Sequence, residues 1–289
     1  MIGRLLVCTD LDRTLIPNGP QPESAHARDR FSVLASRPEI TLAYVSGRHR
    51  ALIEKAIRIY QLPTPDFVVG DVGTTIYHVG AEQEWQPQSE WEKEIARDWE
   101  GNSHADLKVL LGDLTELRLQ ERNKQNRYKL SYYVPLQANR EALSLLIRER
   151  LSRAGIRPSL VWSIDEPASI GLLDVLPERA TKFHAVEALI KQHGFDFDNT
   201  VFGGDSGNDI EVLVSPVPAV LVANSQLEVQ QLARQLAESN GQGDRLYSAQ
   251  GNFMGMNGNY AAGVLEGIAH FHPETVEWMG FDSQQGGRP

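Results

Sequence analysis

Two pairs of aspartates follow apolar runs at distant points of this chain: Asp10 and Asp12 near the start, and Asp205 and Asp209 near residue 200. If the runs are neighbouring parallel strands, their carboxyl ends bring all four side chains into one crevice. Carboxylates so placed raise one another's pKa and oppose folding unless a cation neutralises them. An all-oxygen site suits Mg²⁺. Alternatively, each aspartate serves only a turn or a helix cap. That interpretation is reasonable for one aspartate but weaker for all four together.

Lys182 and Ser46 are candidate ligands for an anion. A helix is predicted over 181–193, and a cation in its first turn opposes the helix dipole by up to about 1 kcal/mol, which an anion beyond that terminus would offset. Ser46 places a hydroxyl at the end of a predicted strand and is followed by Gly47 and Arg48. Each also has an ordinary interpretation, as an exposed lysine, a helix cap and a surface arginine.

These residues supply what phosphoryl transfer needs: a nucleophile, a cation, donors for the phosphoryl oxygens and an acid for the leaving group. Asp10 would be the nucleophile and form an acyl phosphate, and Asp12 would protonate the leaving oxygen and then activate water. Mg²⁺ would be held by Asp10, the backbone carbonyl of Asp12 and Asp205, with Asp209 supporting these ligands. The serine and the lysine would hold the transferring phosphoryl group.

Strand and helix patterns alternate at both ends of the chain. Apolar runs at 5–8, 40–45 and 66–69 alternate with helical segments, and the pattern resumes with runs at 200–204 and 219–222. Such alternation predicts right-handed β-α-β units. We therefore expect an α/β fold, a doubly wound Rossmann-like core with a parallel sheet.

The middle of the chain departs from this pattern. It begins with a polar, tryptophan-bearing stretch and continues with an aromatic strand, a helix and two short strands, which indicates an inserted α+β cap that determines substrate specificity. The Gly- and Gln-rich end predicts flexibility. The predicted organisation is a discontinuous catalytic core of 1–78 and 177–275, a cap of 79–176 and a flexible tail of 276–289.

Composition narrows the classes of function. The chain has 289 residues, 41% of them hydrophobic, and a net charge of −10. The negative charge argues against nucleic acid and anionic membranes as partners. A single cysteine, Cys8, excludes an internal disulfide, and the apolar runs are too short for a membrane span. We expect a cytoplasmic protein without a signal peptide.

The motifs resemble those of the haloacid dehalogenase (HAD) superfamily. The segment 10–15 (DLDRTL) is similar to its first motif, and Ser46, Lys182 and the segment 204–209 (GDSGND) are similar to the second, third and fourth. The insertion is similar to the type IIB cap of the Cof-like and sugar-phosphate phosphatases. The resemblance implies a Mg²⁺-dependent phosphatase with an aspartyl-phosphate intermediate, in which Thr14, Gly47, Arg48 and Asn208 are candidate substrate contacts.

Within that group the chain most resembles the sucrose-phosphate phosphatases. The similarity includes KLSYY at 129–133, DVLP at 174–177 and VAN at 222–224, and together the matching stretches cover most of residues 1–271. By this resemblance Lys129 and Asn224 are candidate sugar or phosphate contacts. The segment 251–259 departs from the family pattern. Sucrose 6-phosphate is the first expected substrate.

Several alternatives stay open. Related phosphatases act on phosphates of mannosylfructose and of glycosylglycerates. A phosphomutase would move the phosphoryl group within one sugar and release little free phosphate. A non-catalytic module that binds a sugar phosphate or a partner glycosyltransferase would usually lack the nucleophile or the metal ligands, which are present here. Association with a sugar-phosphate synthase is compatible with activity.

Overall fold

The computed structural model describes residues 3–165 and 168–280 of the chain. Its strands are β1 (Leu5–Thr9), β2 (Ile40–Val45), β3 (Phe67–Gly70), β4 (Thr75–Val79), β5 (Trp85–Pro87), β6 (Arg118–Leu119), β7 (Leu130–Val134), β8 (Pro158–Asp165), β9 (Ile170–Pro177), β10 (Thr200–Gly204), β11 (Ala219–Leu221) and β12 (Leu246–Ser248). Its α-helices are α1 (Ala27–Ala35), α2 (Arg50–Tyr60), α3 (Ser89–Ala96), α4 (His104–Leu110), α5 (Arg140–Arg153), α6 (Lys182–His193), α7 (Ile210–Leu213), α8 (Leu227–Ser239) and α9 (Ala261–Phe271). Short 3₁₀ turns join several of these elements.

Eight strands form the larger sheet, in the order β12-β11-β10-β1-β2-β3-β4-β5. The six strands from β12 to β3 pair in parallel, and β4 and β5 extend the sheet as an antiparallel hairpin. Such a parallel centre requires crossover connections, which the helices provide. The predicted α/β core with a mostly parallel sheet is therefore confirmed.

The central strand β1 shows why the sheet is covered on both faces. Leu5 and Val7 belong to a hydrophobic cluster with residues of α1 and α9, whereas Leu6 and Cys8 belong to a second cluster with residues of α6. All four side chains are at most 1% exposed. Because successive side chains of a strand point to opposite faces, a continuously apolar run is what a doubly covered strand needs.

A second, four-stranded antiparallel sheet has the order β6-β7-β9-β8 and lies with α3, α4 and α5 in the inserted cap. Trp91 and Trp99 are fully buried in a cluster shared by cap and core, so they pack instead of presenting faces to a ligand. Within the described ranges, no helix has the length and apolar character that crossing a bilayer requires.

Two predicted boundaries need correction. The cap was expected to begin at residue 79, but β5 pairs with β4 and belongs to the core sheet, so sheet membership changes only after Pro87. The tail was expected from residue 276, but the 3₁₀ turn Pro273–Met279 packs on α1, and Met279 is fully buried. Apolar side chains in this turn fill the core beside α1. The rest of the predicted tail, 281–289, lies outside the described residues.

Candidate active site

The carboxyl edge of the parallel sheet brings the predicted motifs together. Asp10 follows β1, Ser46 follows β2 and Asp205 follows β10, the strands next to β1 on either side being β10 and β2. Lys182 begins α6, and Asp209 ends the short 3₁₀ turn after β10. All five residues are at least 95% buried. Ligand oxygens of the three aspartates lie within 4.8 Å of one another.

Lys182 is held inside this cluster of charges. Its Nζ lies 3.2 Å from Asp10 Oδ1 and donates to Asp209 Oδ1 at 2.7 Å and to Asn208 Oδ1 at 3.1 Å. Burial by itself lowers the pKa of the ammonium group, but the two carboxylates outweigh burial and leave that pKa above its ordinary value. The side chain of Thr181 caps the helix and so fixes where the helix begins, and with it the position of Lys182.

Asp209 orders the loop around the cluster. Its Oδ2 accepts hydrogen bonds from the backbone amides of Asp205 and Ser206, while Oδ1 accepts from Lys182. A Cβ on Gly204 would lie 2.8 Å from the carboxyl carbon of Asp209, so this close approach requires glycine. With both oxygens engaged, Asp209 is better suited to support metal ligands than to bind a cation directly.

Asp10 and Asp205 are the two carboxylates best suited to bind a cation. Burial raises the pKa of Asp10 well above its ordinary value, Lys182 opposes that shift, and the neighbouring carboxylates add to it. Burial, reinforced by Asp209, raises the pKa of Asp205 from 3.8 to about 6. One ammonium group therefore does not compensate three buried carboxylates. A divalent cation with a preference for oxygen ligands fits this donor set.

Asp12 is anchored by a partner that was predicted to touch substrate. Arg48 Nε donates to Asp12 Oδ2 at 2.7 Å, and its Nη2 donates to Oδ1 at 2.5 Å. Asn18 Nδ2 also donates to Oδ1, at 2.6 Å. This two-point grip fixes the plane of the carboxylate. The described contacts give Arg48 the task of orienting Asp12. Arg48 also lines the cavity over Asp10, so its predicted substrate contact stays a prediction.

Other predicted contacts divide between the cavity and its support. Gly47 and Asn208 line the cavity over Asp10. The Thr14 hydroxyl donates to Asp205 Oδ1 at 3.2 Å, so Thr14 orients a carboxylate instead of lining the cavity. The Ser46 hydroxyl accepts the amide of Arg48 at 3.2 Å and remains able to donate.

Asn224 and Lys129, the two sugar contacts predicted by resemblance, have partners within the protein. Asn224 donates to the carbonyl of Arg13 at 2.7 Å and accepts the amide of Tyr260 at 2.8 Å, and it lines neither cavity of the crevice. Lys129 is 7% exposed, and its Nζ lies 3.9 Å from Asp71 and 3.7 Å from Asp174, at the junction of cap and core. Both residues therefore hold the surroundings of the site together.

Some residues around the crevice were not predicted. Arg13 has a φ of 58°, its amide donates to Asn18 Oδ1, and its Nε lies 3.6 Å from Asp205. Lys124 of the cap and Gln226 of the core also line the cavity. Arg13 stands inside the first motif and could have been suspected from its position. Nothing in residue type distinguishes Lys124 from the other lysines, because its place depends on how the cap folds over the core.

The crevice contains two adjoining cavities. The inner cavity, about 390 Å³, lies over Asp10, Asp12 and Asp205. The outer cavity, about 620 Å³, lies between β8 of the cap and the loop that follows β10. Ser206, Gly207, Asn208 and Gln226 line both and form their common rim.

Known proteins are similar to this chain in sequence and in fold. The sucrose-6F-phosphate phosphohydrolase family matches residues 3–272. A Nitrosococcus oceani protein described no more closely than as a HAD-like hydrolase is 56% identical over 280 residues, which is 96% of this chain and 75% of that protein. Sucrose-phosphatase 1 of Nicotiana tabacum is 28% identical over 93% of this chain, and the match spans only 60% of the plant protein's length.

A solved structure gives the same picture. The sucrose-phosphatase of Synechocystis sp. PCC6803, determined in complex with sucrose and phosphate, superimposes with a TM-score of 0.71 at 26% identity, covering 93% of this chain and 98% of that one. Family match, fold and the buried motif residues agree. The chain belongs to the sucrose-6F-phosphate phosphohydrolase family, a group of HAD-type phosphoric monoester hydrolases.

Proposed function

We propose that this protein hydrolyses the phosphate ester of a sugar or disaccharide, with sucrose 6-phosphate as the first candidate substrate and Mg²⁺ as cofactor. The observation that carries the proposal is the buried cluster of Asp10, Lys182 and Asp205, in which the two aspartates line the inner cavity and the lysine lines the adjoining outer cavity under the cap. The cluster provides phosphoryl-transfer chemistry, and the adjoining space provides room for a leaving group.

In the first step, an Asp10 carboxylate oxygen attacks phosphorus while the bond from phosphorus to the sugar oxygen breaks. Asp12 gives its proton to that departing oxygen. Lys182, 3.2 Å from Asp10, lies where it would hold a phosphoryl oxygen as charge shifts from the ester. The product of this step is an acyl phosphate on Asp10 and a free sugar.

In the second step, water attacks phosphorus, Asp12 accepts its proton, and the bond from phosphorus to Asp10 breaks to release inorganic phosphate. Asp12 can alternate between these roles only if its carboxylate keeps a constant orientation. Arg48 and Asn18 provide that orientation. Asp12 is 39% exposed, so water and a leaving group can both reach it.

Asp10, Asp205 and the backbone carbonyl of Asp12 would hold the magnesium ion. When bound, the ion would cancel the repulsion between a carboxylate nucleophile and a phosphate dianion. Thr14 keeps Asp205 turned toward the cluster, and Asp209 keeps the backbone of 205–206 in place. These residues thereby define the site before any cation arrives.

The outer cavity would receive the sugar. Its 620 Å³ lies within the usual range for small-ligand pockets, roughly 300 to 1,000 Å³. The cap contributes Ser159 and Ser163, whose hydroxyls can hydrogen-bond to a sugar, and Trp162, a partly buried indole. A sugar seated there would reach Asp10 with its phosphate across the common rim.

Phosphate release tests this proposal. The panel would contain sucrose 6-phosphate, mannosylfructose phosphate, a glycosylglycerate phosphate and glucose 6-phosphate, each with Mg²⁺ and with EDTA. We expect Mg²⁺-dependent release that is fastest with a disaccharide or similar glycoside phosphate. Asp10→Asn should abolish release, while Asp29→Asn, at an exposed position of α1, should leave it unchanged.

Other outcomes would point elsewhere. An isomeric sugar phosphate with little free phosphate would indicate a mutase. Binding of sugar phosphates without turnover by the Mg²⁺-loaded protein would indicate a non-catalytic module, and a synthase would then be the partner to test. Release that persists unchanged in EDTA would contradict the role given to the cation.

A further inference from the structure

The turn that precedes β7 is fixed to both domains. The Gln125 side chain donates to the carbonyls of Gln120 and Ser131 and accepts the amide of Ser131 at 2.7 Å. One residue further on, Asn126 donates to the Thr74 hydroxyl of the core at 2.8 Å. These bonds give the 3₁₀ turn Arg122–Lys124 a defined position relative to the catalytic edge of the core sheet.

Lys124 is the residue that this turn brings over the inner cavity. Of the cap residues that the structure describes, it alone lines the cavity that also contains Asp10, Asp12 and Asp205. The nearest acid of the turn, Glu121, accepts hydrogen bonds from the Tyr133 hydroxyl at 2.8 and 3.1 Å. Lys124 makes no ion pair with a described carboxylate, and its charge acts only weakly on the exposed Glu121, whose pKa is lowered mainly by hydrogen bonds. Its ammonium group is therefore available to a ligand.

The phosphate group of a substrate would bring negative charge next to the carboxylates of Asp10 and Asp205. On the core side, Lys182 lies 3.2 Å from Asp10 and Arg13 lies 3.6 Å from Asp205. On the cap side, Lys124 is the cationic residue that lines the cavity, among the residues that the structure describes. Opposite charges in a partly enclosed cavity attract more strongly than in water.

We propose that Lys124 closes the phosphoryl-binding cavity from the cap side and contacts the phosphate group of the substrate. The inference rests on the proposed function and deepens it, because the cap then binds the group that all substrates share as well as the sugar that distinguishes them. It concerns a different cap lysine from the predicted Lys129, which is buried between Asp71 and Asp174. The substrate phosphate would lie between Lys124 of the cap and the charged residues of the core and would contact both.

The test measures binding of inorganic phosphate to the Mg²⁺-loaded protein by calorimetry, together with hydrolysis of p-nitrophenyl phosphate and of the best sugar phosphate. Lys124→Met should weaken phosphate binding about fivefold to tenfold, as expected for one charge-assisted hydrogen bond in a partly exposed site. It should raise KM for both esters by the same factor and leave kcat nearly unchanged. Lys124→Arg should retain most of the affinity.

Arg122→Met is the matched control, because Arg122 is a cation of the same turn that does not line the cavity. It should bind phosphate as the wild type does. Wild-type affinity in Lys124→Met, or a defect confined to the sugar phosphate, would overturn the proposal. Phosphate binding does not need turnover, so a catalytically inactive wild type would contradict the proposed function while the Lys124 contact was still measured. A wild type that binds no phosphate would contradict both.

Discussion

Asp10 and Asp205 combine burial with repulsion from neighbouring carboxylates, chiefly Asp209, and this makes stability without a cation depend on pH. The pKa of Asp205 is about 6 in the folded protein against an ordinary 3.8, and that of Asp10 is also raised. Between these values the folded state binds more protons than the unfolded state, so the free energy of unfolding falls as pH rises from about 4 to 6. Burying these carboxylates therefore opposes folding at neutral pH.

A bound cation would reverse that effect, because it requires ionised ligands. We predict that the increase in Tm caused by Mg²⁺ is larger at pH 7 than at pH 5. Thermal unfolding with and without Mg²⁺ at both pH values measures this difference. In Asp205→Asn the increase should be small at either pH. An increase of the same size at pH 5 and pH 7 in the wild type would argue against a cation at these carboxylates.

Substitutions of Arg48 can distinguish whether it orients Asp12 or binds the substrate. If it fixes the plane of Asp12, Arg48→Ala should lower kcat about tenfold or more, the loss expected for a charge-assisted two-point contact, with little change in KM. Arg48→Lys should restore little, since an ammonium group cannot make two parallel bonds. Arg50→Ala, which removes an exposed pair with Glu54, serves as the control in steady-state kinetics. A raised KM with unchanged kcat would indicate that Arg48 binds the substrate and does not orient Asp12.

Residue type alone predicted which side chains meet at the site but not what each one touches. Asp10, Asp205 and Lys182 each have an ordinary interpretation alone, and they were found because they occur together, at the ends of predicted strands and at the start of a predicted helix. Lys129 and Asn224 were assigned to substrate by resemblance, whereas their described partners are Asp71, Asp174 and the backbone around the Arg13 loop. A buried ion pair and a buried amide depend on contacts far away in sequence, which one sequence does not reveal.

Between β3 and β4, a segment of left-handed backbone connects three parts of the site. Asp71, Val72 and Gly73 have φ values of 52°, 62° and 100°. The amide of Asp71 donates to the carbonyl of Arg48, and the indole of Trp91 donates to the carbonyl of Gly73. Gly73 packs directly against the backbone of Thr181, which caps the Lys182 helix. This segment therefore connects the cap, through Trp91, to the start of α6, through Thr181.

Gly73→Ala should destabilise the protein by about 2–3 kcal/mol, because it adds strain at a positive φ and an overpacked contact. Its Cβ would lie 2.7 Å from the carbonyl carbon of Thr181, and backbone lies on both sides of that contact. Gly243→Ala is the control, since its φ is not in the left-handed region and its nearest neighbour would be 3.8 Å away. Urea unfolding compares the two. Equal midpoints would refute the structural role given to Gly73.

Sequence patterns identified the parallel strands in the centre of the larger sheet but not the two edge strands, β5 and β12. The apolar runs that became β1, β2 and β10 were recognisable because both faces of these strands are buried. β5 has three residues ending in Pro87, and β12 also has three, so neither offers enough alternation to be read. The pairing of β5 with β4 places the start of the cap later than predicted. The apolar side chains of Pro273–Met279 pack on α1, although residues from 276 onward had been assigned to the tail.

At the scale of the whole molecule, cap and core share one hydrophobic cluster. It includes Leu6 and Val45 of the core sheet together with Leu130, Ile147 and Leu173 of the cap. Because this shared interior would be exposed if either part opened alone, we predict one cooperative unfolding transition. Tryptophan fluorescence, which reports mainly on the cap, and far-ultraviolet circular dichroism should give the same midpoint. Separate midpoints would show that the two parts unfold independently.

The central claim is that Asp10 carries the phosphoryl group between the two steps of the reaction. Rapid acid quenching of the Mg²⁺-loaded protein during turnover of its best sugar phosphate, followed by peptide mass spectrometry, tests this claim directly. We predict one added phosphoryl group on the peptide that contains Asp10, and none in Asp10→Asn. Turnover without that modification, or with the phosphoryl group on another residue, would contradict the account.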